Sequence, residues 1–158
     1  MNIQFKRLSN IAKSEIIGLM NNQLVRRQLP LLIGEFSECD CDEFIYNKEL
    51  LWKNHGFGPW AFLVNGKFAG WGGLQPENGE ADLALVLHPN YWGLGKTLFK
   101  KIMNIAFEDM DLESITILLP PTRTRIKGVF SLGFKEDSEL SVGNVRFFKY
   151  RLNRSTLK

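Results

Sequence analysis

The sequence predicts an α+β fold with a mixed, mostly antiparallel sheet of about six to seven strands flanked by helices. Three observations carry this. Helix-period segments dominate roughly the first third of the chain, and short turn-bounded apolar segments dominate from residue 59 onward. One long amphipathic stretch, near residues 96–109, interrupts those strands. The regular strand-helix alternation of a doubly wound sheet is missing. At 158 residues the chain fits a single domain over 1–158, large enough to bury a real core.

Each element has its own signal. Ile3 to Leu8 alternates at period two and reads as a strand. Ser9 or Asn10 is placed to cap a helix carrying Ile11, Ile16, Ile17, Leu19 and Met20. A second helical piece covers Asn22 to Gln28 and stops at Pro30. A longer helix is expected from Asp42 to Asn54, packing Phe44, Ile45, Leu51 and Trp52. Trp60–Val64 and Lys67–Trp71 flank Asn65-Gly66, a hairpin signal because both central residues of a type I′ turn need positive φ. The chain turns again over Pro76–Gly79, and Asp82–His88 forms the next strand, ended by Pro89.

A helix from about Lys96 to Asp109 follows. Leu98, Phe99, Ile102, Met103, Ile105, Ala106 and Met110 make its apolar side, and Lys100, Lys101, Asn104 and Glu108 its wet side. Ser114–Leu119 is a strand stopped by Pro120-Pro121. A short helix, about Thr124 to Leu132, leads to Gly133-Phe134. Two strands close the chain, the last over Val145–Leu152.

Composition narrows the function. The 44% hydrophobic and 23% charged shares are those of a globular protein, and no apolar run approaches the roughly 20 residues that cross a bilayer. Residues 1–20 lack the order of a secretory signal, so a cytoplasmic location without membrane attachment is expected. A net charge of +3 with no Lys/Arg block argues against nucleic acid as partner. Cys39 and Cys41, one residue apart, would strain any mutual bridge, and no second Cys/His pair completes a zinc site. They read as free thiols, and no metal is expected.

The most informative stretch is Leu85 to Leu98: apolar strand, glycine-containing turn, long helix. A helix start offers unpaired N–H groups and about half a positive charge, which suits a phosphate-bearing ligand. Gly95-Lys96-Thr97 matches the tail of a Walker A loop, but Asn90 holds the place of its first glycine. The later strand ends in Pro120 and offers no Asp for a magnesium ion. An NTPase is set aside.

Asn90-Tyr91-Trp92-Gly93-Leu94-Gly95 instead resembles the acetyl-CoA pyrophosphate loop of the GNAT superfamily, [QR]-x-x-G-x-[GA], with Asn90 where Gln or Arg is usual. The Pro-Asn-Tyr-Trp-Gly run is similar to the ribosomal-protein N-terminal acetyltransferase branch. The order of elements and Leu132-Gly133-Phe134 extend the resemblance over nearly the whole chain.

The resemblance implies an acetyl-CoA-dependent N-acetyltransferase, with 80–134 as the cofactor-binding core and the N-terminal helices on the acceptor side. Trp92 and the amides of Gly93, Leu94, Gly95, Lys96, Thr97 and Leu98 would meet the pyrophosphate. Leu85, Val86 and Leu87 would splay from the strand after Ser114 and pair with pantetheine as with a peptide. An N–H near Val86 or Leu87 would face the thioester oxygen. Thr122 stands where the family often has Asn, with Arg123 and Arg125 toward CoA phosphates. Val129 stands where a Tyr often serves as acid, so the acid is unassigned.

Alternation puts Glu80, Asp82, Ala84, Val86 and His88 on one strand face, and Asp82 or Glu80 is the expected base. The acceptor is expected to be a small-molecule or peptide amine, which the acidic run Glu35–Glu43 would attract. The alternative is an acyl-CoA-binding module with a regulatory role. Either a monomer or a homodimer is expected.

Overall fold

The computed structural model describes residues 1–121 and 127–157. In chain order the elements are β1 (Ile3–Lys6), α1 (Lys13–Asn21), α2 (Gln23–Arg26), α3 (Glu38–His55), β2 (Pro59–Val64), β3 (Lys67–Glu77) and β4 (Glu80–Leu87). They continue with α4 (Gly95–Asn104), β5 (Ser114–Leu119), α5 (Lys127–Ser131), β6 (Lys135–Val142) and β7 (Val145–Asn153). The seven strands form one sheet in the order β1-β2-β3-β4-β5-β7-β6. Every neighbouring pair is antiparallel except β4 with β5. This is the mixed, mostly antiparallel α+β sheet that the sequence predicts.

Turn chemistry builds the hairpins. Asn65-Gly66, Asn78-Gly79 and Gly143-Asn144 all take positive φ at both central positions, the type I′ geometry that matches strand twist. Alternation then sorts side chains onto two cores. Ala81, Leu83 and Leu87 of β4 pack with Leu98, Phe99 and Ile102 of α4. Ala84 and Val86 pack on the opposite face with Trp71, Ile16, Leu19 and Cys41, under α1 and α3. By parity Asp82 belongs to that second face.

The helices begin elsewhere than expected. α3 starts at Glu38, four positions before Asp42, because Ser37 and Asp40 form a reciprocal capping box. Ser37 Oγ accepts from the Asp40 N–H at 3.2 Å, and Asp40 Oδ2 accepts from the Ser37 N–H at 2.9 Å. Asp42 pairs with Lys13. Two carboxylates of the acidic run are thus structural. Ser9 and Asn10 do not cap α1; Leu8–Asn10 form their own 3-10 turn, and α1 starts after Ala12. Part of the helix expected over 124–132 is seen as α5. Thr122, Arg123 and Arg125 lie outside the described residues. Among the described residues no helix is long and apolar enough to cross a membrane.

Ser37→Ala should cost about 1 kcal/mol in urea unfolding, the usual loss of an N-cap, with no change in the denaturant slope.

Candidate active site

The sheet has an opening at its centre. β4 and β5 pair at only two rungs, Asp82↔Thr116 and Leu83↔Ile117. On its other side β4 is paired with β3 all the way from Glu80 to Leu87. Two glycines let β3 close in. A methyl on Gly70 would meet Val86 O at 2.1 Å, and one on Gly72 would meet Ala84 O at 2.3 Å. Beyond Leu83, β4 and β5 therefore diverge as a wedge, as expected for Leu85–Leu87.

Main-chain alternation decides what faces the wedge. The His88 N–H donates to Ala69 O at 2.9 Å, across β3. The register is unbroken, so Val86 and Ala84 also turn their main chain to β3. Leu85 and Leu87 turn theirs to the wedge. Of the two expected donors, the Val86 N–H points to β3 and the Leu87 N–H faces the opening. The Leu87 carbonyl accepts the Trp92 indole N–H at 2.8 Å. That leaves the N–H and C=O of Leu85 and the N–H of Leu87 directed at the opening.

The glycine-containing loop is more helical than the sequence suggests. Pro89–Leu94 form a 3-10 turn that runs into α4, with His88 Nδ1 accepting from the Asn90 N–H at 3.1 Å. The Gly95 N–H donates to the Trp92 carbonyl, so it is not a free phosphate donor. Gly95 has φ of −53°, so its backbone does not require glycine. Packing does not require it either. A methyl on Gly93 would meet nothing within 4 Å, and one on Gly95 would meet only Leu85 Cδ2 at 3.8 Å. The two glycines keep the space before the helix start clear. Lys96 and Thr97 are exposed beside it, whereas the Leu98 side chain belongs to the core.

Asp82 sits at the vertex of the wedge. It is only 8% exposed, and its Oδ1 accepts from Thr116 Oγ1 at 2.8 Å. Burial pushes its carboxyl up to about 7; the Thr116 hydrogen bond pulls it down and the Glu77 charge pushes it further up. Glu80, two residues away on the same face, is different. It pairs with Arg151 and, at 2.7 Å, with Lys149 Nζ. Their hydrogen bonds hold its carboxyl down at about 2. A carboxylate so held is a poor proton acceptor, which sets Glu80 aside as base. Val129 is buried beneath α5 and offers no acid.

Three neighbours escaped the sequence reading. Thr116 is the lone polar residue between Ile115 and Ile117, a signal available in hindsight. Gln75 stands opposite Asp82 in the β3–β4 register and accepts a hydrogen bond from Lys48. Lys48 lies four residues after Phe44 and four before Trp52, a helical spacing that turns it to the sheet. Burial pushes its amine down to about 8. Cys39 is exposed and Cys41 buried, both free thiols. Among the described residues no group of three or more His, Cys, Asp or Glu could hold a metal ion.

The raised Asp82 carboxyl has a stability consequence. Between about pH 4 and pH 7 the folded state holds a proton that the unfolded state has released, so stability falls as pH rises through that window. Urea titrations of Asp82→Asn should show the decline removed, a difference of up to about 4 kcal/mol at pH 8.

A family model described as acetyltransferase (GNAT) domain matches residues 12–135. Solved structures agree in fold. Aminoglycoside acetyltransferase AAC(6')-Ib in complex with coenzyme A superposes with TM-score 0.77 at 13% identity, covering 99% of this chain and 97% of that one. Spermidine N-acetyltransferase from Vibrio cholerae, in complex with CoA and spermine, gives 0.74 at 16%, covering 99% and 98%. A GNAT-family acetyltransferase from Bacillus anthracis gives 0.72 at 15%, covering 98% and 96%. No curated protein matches the sequence. With the family model covering most of the chain, from the helices above the wedge to the start of β6, the protein belongs to the GNAT acetyltransferase family.

Proposed function

We propose that the protein transfers an acetyl group from acetyl-CoA to a primary amine by direct attack, with Asp82 as general base. One observation carries this reading: a buried carboxyl, half ionised near neutral pH, stands at the vertex where β4 leaves β5. A base works best with a proton affinity near the working pH. Two structurally similar proteins, a spermidine N-acetyltransferase in complex with CoA and spermine and an aminoglycoside acetyltransferase in complex with coenzyme A, support the donor and the acceptor class.

The chain's own groups suit the donor. The wedge offers peptide-like pairing to the two amides of a pantetheine arm through Leu85 and Leu87. The Leu85 N–H, the first outward donor beyond the vertex, and the Leu87 N–H are the candidates to meet a thioester oxygen as it gains charge. The amides of Lys96 and Thr97, in the first turn of α4, and the clearance at Gly93 and Gly95 suit a pyrophosphate. Thr122 and Arg123 remain proposed contacts to the CoA phosphates, and Trp92 a lateral wall. Departure of a thiolate with an ordinary pKa of about 8.5 needs no dedicated acid.

The acceptor amine reaches Asp82 from the side of the sheet covered by α1 and α3. Asp82 removes its proton directly or through one water. A peptide N-terminal amine, with pKa about 7.7–8.0, is the acceptor easiest to deprotonate there.

A panel of amines with acetyl-CoA should release free CoA, with kcat/KM rising through an inflection near pH 7. Asp82→Asn should lower kcat/KM by about 100-fold or more and abolish the inflection; an unchanged profile removes Asp82 as base. Gly95→Leu should weaken CoA binding by more than about 10-fold in calorimetry while leaving Tm nearly unchanged. Unaltered CoA affinity in that variant would move the phosphates elsewhere.

A further inference from the structure

Lys48 is a half-buried primary amine for which the proposed reaction has no use. Its Nζ lies 5.0 Å from the centre of the Trp71 ring and 5.3 Å from that of Phe44. It donates to Gln75 Oε1, and Gln75 is the cross-strand neighbour of Asp82 on the same sheet face. Among the described residues no carboxylate lies within salt-bridge distance of it. Its counterpart is the Trp71 indole N–H, a buried donor with no acceptor among the described residues.

These two anomalies are complementary. Among the described residues the ammonium has one neutral hydrogen-bond partner and two aromatic faces and no carboxylate, and a buried indole N–H without an acceptor is an unmade hydrogen bond. An acetyl group on Nζ would remove the charge, keep one N–H for Gln75 and bring a carbonyl acceptor into the neighbourhood of Trp71.

We propose that Lys48 is a self-acetylation site, the enzyme's own acyl acceptor, a reading that rests on the transferase function above. The neutral Nζ attacks the carbonyl carbon of acetyl-CoA. A C–N bond forms, the C–S bond breaks, and the electron pair leaves on sulfur as the CoA thiolate. The proton released from nitrogen passes to water. Burial favours the reactive form, because an amine near 8 is substantially neutral at pH 7.5 whereas an ordinary lysine is about 0.1% neutral.

The test incubates the full chain with isotopically labelled acetyl-CoA and no added amine, then maps acetylated peptides by mass spectrometry over time. Lys48 should acquire one acetyl at least 10-fold faster than exposed Lys53, Lys67 and Lys100 in the same digest, and excess CoA should slow it. In parallel, the indole N–H resonance of Trp71, assigned through Trp71→Phe, should move as Lys48 is modified and stay still in Lys48→Arg. An unmodified Lys48, or one modified no faster than the surface lysines, overturns the proposal. Two arms separate the failures: CoA release with free amines but an unmodified Lys48 sinks self-acetylation alone, whereas no release with any amine and no modification sinks the transferase reading as well.

Discussion

The interrupted pairing between β4 and β5 is the constraint on which the rest of this molecule turns. Main-chain N–H and C=O groups are obligatory hydrogen-bonding groups, and the middle of a sheet is where they are normally all paired. Here β4 is drawn against β3 by the close approach at Gly70 and Gly72, while β5 is committed to β7 along its whole length. Between them β4 and β5 pair at only two rungs and then part. The result is a strand edge inside the sheet, with Leu85 and Leu87 offering main-chain groups to a guest. A ligand arm carrying its own amides completes the sheet.

The same divergence sets the electrostatics. The last rungs before the wedge hold Asp82 against Thr116 in the buried interior of the sheet, so desolvation governs its carboxyl. Glu80 shares the strand face but reaches the edge where Lys149 and Arg151 of β7 stand, so ion pairing governs it. Two carboxylates two residues apart thus acquire opposite proton affinities. One is suited to exchanging a proton near neutrality and the other to fastening β4 to the far side of the sheet.

Much of this was legible in the chain because it is local. The type I′ signal at Asn65-Gly66, the alternation along Asp82–His88 and the apolar side of α4 as far as Met103 depend on near neighbours in sequence, and each appears as read. The helix expected on to Asp109 instead becomes a π-helical turn over Ile105–Asp109 that buries Phe107. The splay of β4 was legible only through family resemblance. What escaped is long-range. Nothing near Glu80 announces partners 69 and 71 residues away, and nothing near Asp82 announces a hydroxyl 34 residues later. The capping box at Ser37 was hidden because Asp40 read as one more charge in an acidic run. The 3-10 form of the glycine-containing turn was hidden too, because it depends on Pro89 and on the Trp92 indole bonding back to Leu87.

Amide hydrogen exchange followed by two-dimensional NMR, with and without CoA, tests the wedge most directly. The account predicts that CoA protects and shifts the Leu85 amide, which faces the opening, and leaves Val86, already bonded to β3, almost unchanged. Equal protection of both amides, or a CoA footprint that misses Leu85, would contradict it.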